Sequence, residues 1–170
     1  MSRAGQGLSP LSWLVAPMLA ALLATVLLAA PLRVFGFALP EPVAPAVLAF
    51  SWAVIRPSVL APFLLILAGV FLDFFWNGRL GLWPTAFLLA YATAFAARPL
   101  MVGQGERVLL GWYVGVTALA FAVAFFATAS SARTPPNLLA VGLQFAFTAA
   151  LFPLARRLIE RFEDADIRFR

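Results

Sequence analysis

The chain contains no cysteine and no histidine, and its 12 basic residues are all arginine, so lysine is missing as well. Each absence removes a class of chemistry. Without cysteine or histidine there are no disulfides, no thiol nucleophiles, none of the usual zinc sites and no histidine-based triad. Without lysine, Schiff-base catalysis and the phosphate-binding P-loop are excluded. Charge is scarce too: charged residues are 11% of the 170-residue sequence, against about 25% in ordinary soluble domains. What fills the space is apolar. Hydrophobic residues make up 64%, roughly 109 of the 170, and a bilayer span consumes about 20. That composition accommodates about five or six spans and leaves no room for a separate soluble domain. The reading is an all-α polytopic membrane protein, surrounded by lipid rather than nucleic acid, that is not an enzyme and carries no cofactor or metal.

Apolar runs separated by turn signals divide the chain. The first covers residues 11–32; it exceeds the about 7–15-residue centre of a signal peptide and has only Arg3 before it, so it reads as a retained span. Residues 34–55 are apolar but interrupted by Pro40, Glu41, Pro42 and Pro45, and only 43–55 reads cleanly as helix. That helix rises about 20 Å against a hydrocarbon core of roughly 30 Å. It is either a short, tilted or partly re-entrant element, or a full span begun by the proline-rich stretch. Arg56-Pro57 ends it, since proline lacks an N–H and biases the preceding residue away from helix. Residues 58–76 form a span, Asn77-Gly78-Arg79 a turn, and 80–97 a span back. A polar loop at 98–107, a span at 108–129, a loop at 130–137 and a last span at 138–155 complete a single membrane helix bundle, residues 1–155. Residues 156–170 form a short cytoplasmic tail in which Leu158, Phe162, Ala165 and Phe169 recur at the spacing of an amphipathic helix. The first reading is a helix continuing from the membrane with the pair Arg156-Arg157 anchored at the headgroups, and the second is a docking surface for a cytoplasmic partner.

Arginine placement orients the bundle. With six spans, Arg3, Arg56, Arg98, Arg107 and five tail arginines lie on one side and Arg33, Arg79 and Arg133 on the other, nine against three. The positive-inside rule puts the richer side in the cytoplasm. With five spans Arg33 replaces Arg3 and the count is unchanged. Both arrangements place the C-terminus in the cytoplasm, and six is preferred because every loop is then short.

Asp73 is the acid that lies within an apolar run. A carboxylate at the bilayer centre costs about 2.5–3.5 kcal/mol on insertion scales, and such groups normally face protein or water. It sits about one turn, roughly 6 Å, from the Asn77-Gly78-Arg79 bend, at the non-cytoplasmic interface. One reading has it pair with Arg79 or bond Asn77 to pin the hairpin; the other makes it an acceptor for a polar or basic group on a neighbouring membrane protein. Stabilising the end of its own helix is a poor option, because the macrodipole disfavours an anion at a C-terminus. Peptidase chemistry needs a second carboxylate, and Glu41 qualifies only if the proline-rich stretch folds back beside Asp73. Two small-residue patterns, Gly111 with Gly115 and the stripe Ala16, Ala20 and Ala24, allow close helix packing, first within the chain and second against a partner. The tryptophans, Trp13, Trp52, Trp76, Trp83 and Trp112, read as an interfacial belt.

The block Trp52-Ala-Val-Ile-Arg56-Pro57, followed by Gly69-Val-Phe-Leu-Asp73-Phe-Phe-Trp-Asn-Gly78-Arg79-Leu80-Gly81, resembles the rod shape-determining protein MreD family. The likeness lies in the order of a Trp…Arg-Pro turn, a Gly-xxx-Asp helix end and a Gly-x-Leu-Gly restart, over roughly 45 residues. It implies a non-catalytic part of the machinery that builds lateral peptidoglycan, in a bacterial inner membrane. The implied partners are the membrane-anchored protein MreC and, through the complex, the MreB filament, the glycosyltransferase RodA and its transpeptidase. It further implies a likeness to the six-helix substrate-binding subunits of energy-coupling-factor transporters. The competing expectation is therefore a vitamin-binding transport subunit, for which the alanine stripe is the contact to a coupling protein. Thr25, Thr85, Thr93, Thr117, Gln144 and Thr148 are then the polar groups available to a ligand.

Overall fold

The computed structural model describes residues 11–29, 33–34, 37–38, 41–55, 58–101, 103–130 and 136–167. Arg3, Arg56, Pro57 and Arg133 lie outside the described residues, so the Arg56 position has no structural account. The regular structure of the described residues is helical apart from a two-residue antiparallel pairing of β1 (Arg33–Val34) with β2 (Phe37–Ala38). Helix α1 (Ala16–Leu28) follows a π-helical turn at Leu11–Val15; then come α2 (Pro45–Ile55), α3 (Leu60–Phe75), α4 (Leu82–Met101), α5 (Glu106–Ala129), α6 (Leu138–Ala149) and α7 (Phe152–Ile167).

Among the described residues two stretches are long and apolar enough to cross a membrane: α5, and Leu138–Arg161, which joins α6 to the first part of α7. The stretches Trp13–Leu28, Pro45–Ile55 and Leu60–Phe75 are shorter apolar helices. Many outward-facing side chains are large and apolar. Leu19, Leu23 and Leu27 form an exposed row on α1, Phe63, Leu67 and Phe74 project from α3, and Phe126, Leu138 and Leu139 project from α5 and α6.

The short helix α2 has no outward face. Every residue from Pro45 to Val54 is buried, and α2 packs chiefly on α4 and α7, with α1, α3 and α5 completing its surround. A helix that is apolar all round belongs inside a bundle, and Ala46, Ala49 and Ala53 let neighbours close in on it. Its end is sealed by a residue the loop reading misplaced. Arg98 lies inside α4, not in the following loop, and donates from Nε to the Val54 carbonyl (2.9 Å) and from Nη2 to the Ile55 carbonyl (3.2 Å). These are carbonyls of the last turn of α2, which have no partner within the helix.

The start of the α2 segment is held by α6. Val43 N–H donates to Thr148 Oγ1 (3.0 Å), Thr148 Oγ1 donates to the Gln144 carbonyl (2.8 Å), and Tyr113 Oη of α5 donates to the Thr148 carbonyl (2.7 Å). This hub sits where α6 gives way to α7. Pro153 has no N–H for the carbonyl four residues back, and the ladder breaks at Ala150 and Leu151. Helix α7 therefore begins at Phe152, before the tail boundary expected at 156, and buries Phe152, Ala155 and Ile159 in the bundle. Arg156 ties it to α5 and to itself through Glu106 and Glu160, each at 2.5 Å. Both pairs are half exposed, a setting in which solvent screening leaves ion pairs with little effect on stability. Three of the five tryptophans depart from the belt expectation: Trp13, Trp52 and Trp83 are buried in the core, while Trp76 and Trp112 are partly exposed. Their large rings fill helix–helix space there.

Candidate functional site

The hairpin between α3 and α4 is built from a few residues whose roles follow from local stereochemistry. Helix α3 ends in a left-handed residue, Asn77, at φ 50°. Gly78 N–H reaches back to the Asp73 carbonyl (2.7 Å) and Asn77 N–H to the Phe74 carbonyl (3.1 Å). This is the Schellman arrangement, which satisfies two carbonyls of the last turn. Helix α4 then starts with four N–H positions needing partners. Gly81 N–H donates to Asp73 Oδ2 (2.7 Å) and Trp83 N–H to Asp73 Oδ1 (3.1 Å). Leu82 N–H donates to the Arg79 carbonyl (3.2 Å), and position 84 is proline, with no N–H to satisfy.

Asp73 is thus a two-pronged cap for the helix after its own. Its side chain, 1% exposed, is close to the C-terminus of α3 in sequence but meets the N-terminus of α4 in space. The second macrodipole favours the anion that the first would disfavour, and two charge-assisted bonds offset its desolvation. The pinned hairpin is therefore built through Gly81 and Trp83. Gly81 adopts φ +92°, a conformation that aims its N–H at the carboxylate and that side chains rarely tolerate. Gly69, one turn before Asp73, allows the two helices to touch. A Cβ there would lie 2.3 Å from Pro84 N and 2.6 Å from Pro84 Cα. Gly69, Asp73, Gly78 and Gly81 are brought together as one device.

Glu41 comes to this end of the bundle, where Trp76 Nε1 donates to its Oε1 (3.0 Å). Beside that contact a cavity of about 490 Å³ opens between the hairpin, α5 and α6. Trp76, Trp83, Phe121 and Phe125 give it aromatic walls, and Glu41, Arg79, Thr128 and Gln144 are its polar lining. Trp83 links the walls, with its ring 5.4 Å from Trp76 and 5.8 Å from Phe121.

Of the threonines expected to face a ligand, Thr25, Thr85 and Thr148 instead donate to carbonyls one turn back, at Ala21, Gly81 and Gln144. Gln144 does line the cavity. Glu41 and Arg79 come from loops, and sequence reasoning passed over them as cavity residues because loop position hides what a chain reversal brings together. Half-buried Arg98 and buried Tyr113 and Thr148 are further residues whose partners include backbone atoms, which leave no signature in a sequence. Ser51 Oγ, on α2, has no hydrogen-bond partner, and among the described residues it is the buried side-chain polar atom so placed.

The small-residue patterns point outward. Gly111 and Gly115 are exposed with nothing within 4 Å of an added Cβ. Ala16 and Ala20 are exposed and Ala24 half-buried. Internal packing, the first expectation for both patterns, is not where the fold uses Gly111 and Gly115. Fold and site together define an all-helical bundle with an apolar exterior, a braced hairpin and one end hollowed by a cavity. The chain matches no family model, no curated protein and no solved structure.

Proposed function

We propose that the chain is a non-catalytic scaffold of the bacterial cell-elongation complex, resembling MreD, with six spans in the inner membrane and a cytoplasmic C-terminus. In this role it binds MreC and, through it, the assembly of MreB, RodA and the transpeptidase. The observation that carries the reading is the convergence of the motif residues. Gly69, Asp73, Gly78 and Gly81, which hold the resemblance, form one hairpin whose carboxylate is engaged by the chain's own backbone. Such a device holds a surface in shape and leaves its carboxylate engaged at rest. The exposed apolar faces support immersion in lipid, and the outward Gly111 and Gly115 permit close approach by another helix.

Depletion in a rod-shaped host tests the reading directly. Rounded cells and loss of MreC from pull-downs are expected; cells that stay rods and lose uptake of a nutrient refute it. A C-terminal reporter fusion is expected to be active in the cytoplasm, and a periplasmic signal overturns the orientation. The second reading, a substrate-binding transport subunit, is favoured by the cavity, whose volume falls within the about 300–1,000 Å³ of small-molecule sites. Thermal stabilisation by a member of a vitamin panel is its test.

A further inference from the structure

The cavity beside the hairpin has a charge pattern that neither reading above assigns. Its walls are aromatic, and its lining includes one carboxylate, Glu41, and one guanidinium, Arg79. Glu41 is held in place, since Trp76 Nε1 donates to its Oε1 at 3.0 Å. The tilted rings of Trp76 and Trp83 meet at 5.4 Å on the cavity wall, and Gln144 adds an amide from α6.

We infer that this cavity binds a small zwitterion, a molecule with an ammonium and an anionic group close together on an apolar or aromatic body. The argument is electrostatic. Attraction to one lining charge is offset by repulsion from the other when a ligand has net charge. A simple cation meets Glu41 but is opposed by Arg79; a simple anion meets Arg79 but is opposed by Glu41. A zwitterion places each of its charges against the opposite one and leaves neither uncompensated. The aromatic walls add a face for the ammonium and cover the apolar body. The shared chemistry has two sources, a free amino-acid-like molecule or the phosphoethanolamine headgroup of a membrane lipid. The inference rests on neither functional reading, since a scaffold and a transport subunit can each hold such a ligand.

The test uses the purified full chain in detergent and a matched series with one ring and three charge states: phenylalanine, phenethylamine and 3-phenylpropionate. A parallel arm compares nanodiscs of phosphatidylethanolamine with nanodiscs of phosphatidylglycerol. The readouts are unfolding temperature and tryptophan emission, to which none of these ligands contributes. The expected result is a saturable upward shift with phenylalanine, with phosphatidylethanolamine, or with both, exceeding the shifts from the singly charged analogues. A response to phenylalanine in detergent identifies a free ligand, and a response confined to phosphatidylethanolamine identifies the headgroup. Glu41→Gln preserves the acceptor for Trp76 while removing the charge. It is expected to abolish the zwitterion's advantage and to move the preference toward the anion of the responding series. The inference is overturned if nothing in either arm shifts the protein, if the cation or anion matches the zwitterion, or if Glu41→Gln leaves the preference unchanged. The depletion phenotype reports separately on the scaffold, so failure of one does not entail failure of the other.

Discussion

Replacing Asp73 by asparagine changes the charge and one acceptor while keeping the side-chain shape, and it isolates what the carboxylate does. In the native hairpin Oδ2 takes the Gly81 N–H at 2.7 Å and Oδ1 takes the Trp83 N–H at 3.1 Å. Asparagine offers one oxygen and one NH₂, so one of the two N–H groups faces another donor. An unsatisfied buried N–H costs about 1–3 kcal/mol, and the surviving bond falls from charge-assisted to neutral strength, a loss of about 1 kcal/mol. Relief of the buried charge works against these losses. The net expectation is a destabilisation of about 2 kcal/mol for Asp73→Asn. Asp73→Leu leaves both N–H groups bare and is expected to cost about 3–5 kcal/mol. At about 2–4 °C per kcal/mol for a chain of this size, Asp73→Asn lowers the unfolding temperature by about 4–8 °C. Tryptophan emission is a suitable probe, since Trp76 and Trp83 flank the hairpin. Gly81→Ala, which disturbs the same bonds, is expected to be non-additive with Asp73→Asn in a double-mutant cycle. Unfolding within 1 °C of the wild type for Asp73→Asn, combined with lost association with the proposed partner MreC, would refute the capping argument and assign the carboxylate to a partner.

Four further outcomes are expected. Gly69→Ala drives a Cβ into the Pro84 backbone, and the forced separation of α3 and α4 is expected to cost about 3 kcal/mol, read as thermal stability. Arg98→Ala removes both donors from the α2 terminus at a cost of about 2 kcal/mol; Arg98→Lys, lacking the fork, is expected to fall between it and the wild type. Ser51→Ala deletes a buried hydroxyl without a partner and is expected to leave the unfolding temperature unchanged or raise it, because the desolvation cost disappears with the group; a fall of several degrees refutes this. Gly111→Leu with Gly115→Leu is expected to change stability by less than about 0.5 kcal/mol, as open space surrounds both positions, while abolishing co-purification with MreC if that face meets the partner.

Most helices were legible because apolar runs and turn residues record local structure directly. The Asn77-Gly78 signal marks the end of α3, since few residues other than glycine and asparagine enter the left-handed region. Proline at 135 and 136 precedes Asn137, whose side chain caps α6 by accepting from Leu139 N–H at 2.9 Å. The end of α4 was less legible: Arg98-Pro99 looks like a break, yet the helix continues to Met101. Arg98 there finds carbonyl partners on α2, so its charge no longer argues for a loop. The tail boundary was missed for a related reason. Arg156-Arg157 reads as the start of a soluble segment, but Ala155 and Ile159 on either side bury against the bundle, Arg156 reaches across to Glu106 of α5, and Arg157 is exposed.

Composition and pattern alone determined that this chain is a set of apolar helices without thiol, imidazole or lysine chemistry, because those properties belong to single residues or to neighbours one turn apart. Tertiary structure decided the rest. It placed the short α2 at the centre rather than at the edge, because only contacts from several helices at once can bury every face of it. It turned Asp73 from an anion at the wrong end of one helix into a cap at the right end of the next, which depends on the chain reversing between them. It also set Glu41 beside Trp76 and across a cavity from Gln144. Residues that far apart in sequence acquire a common environment only when the chain has folded.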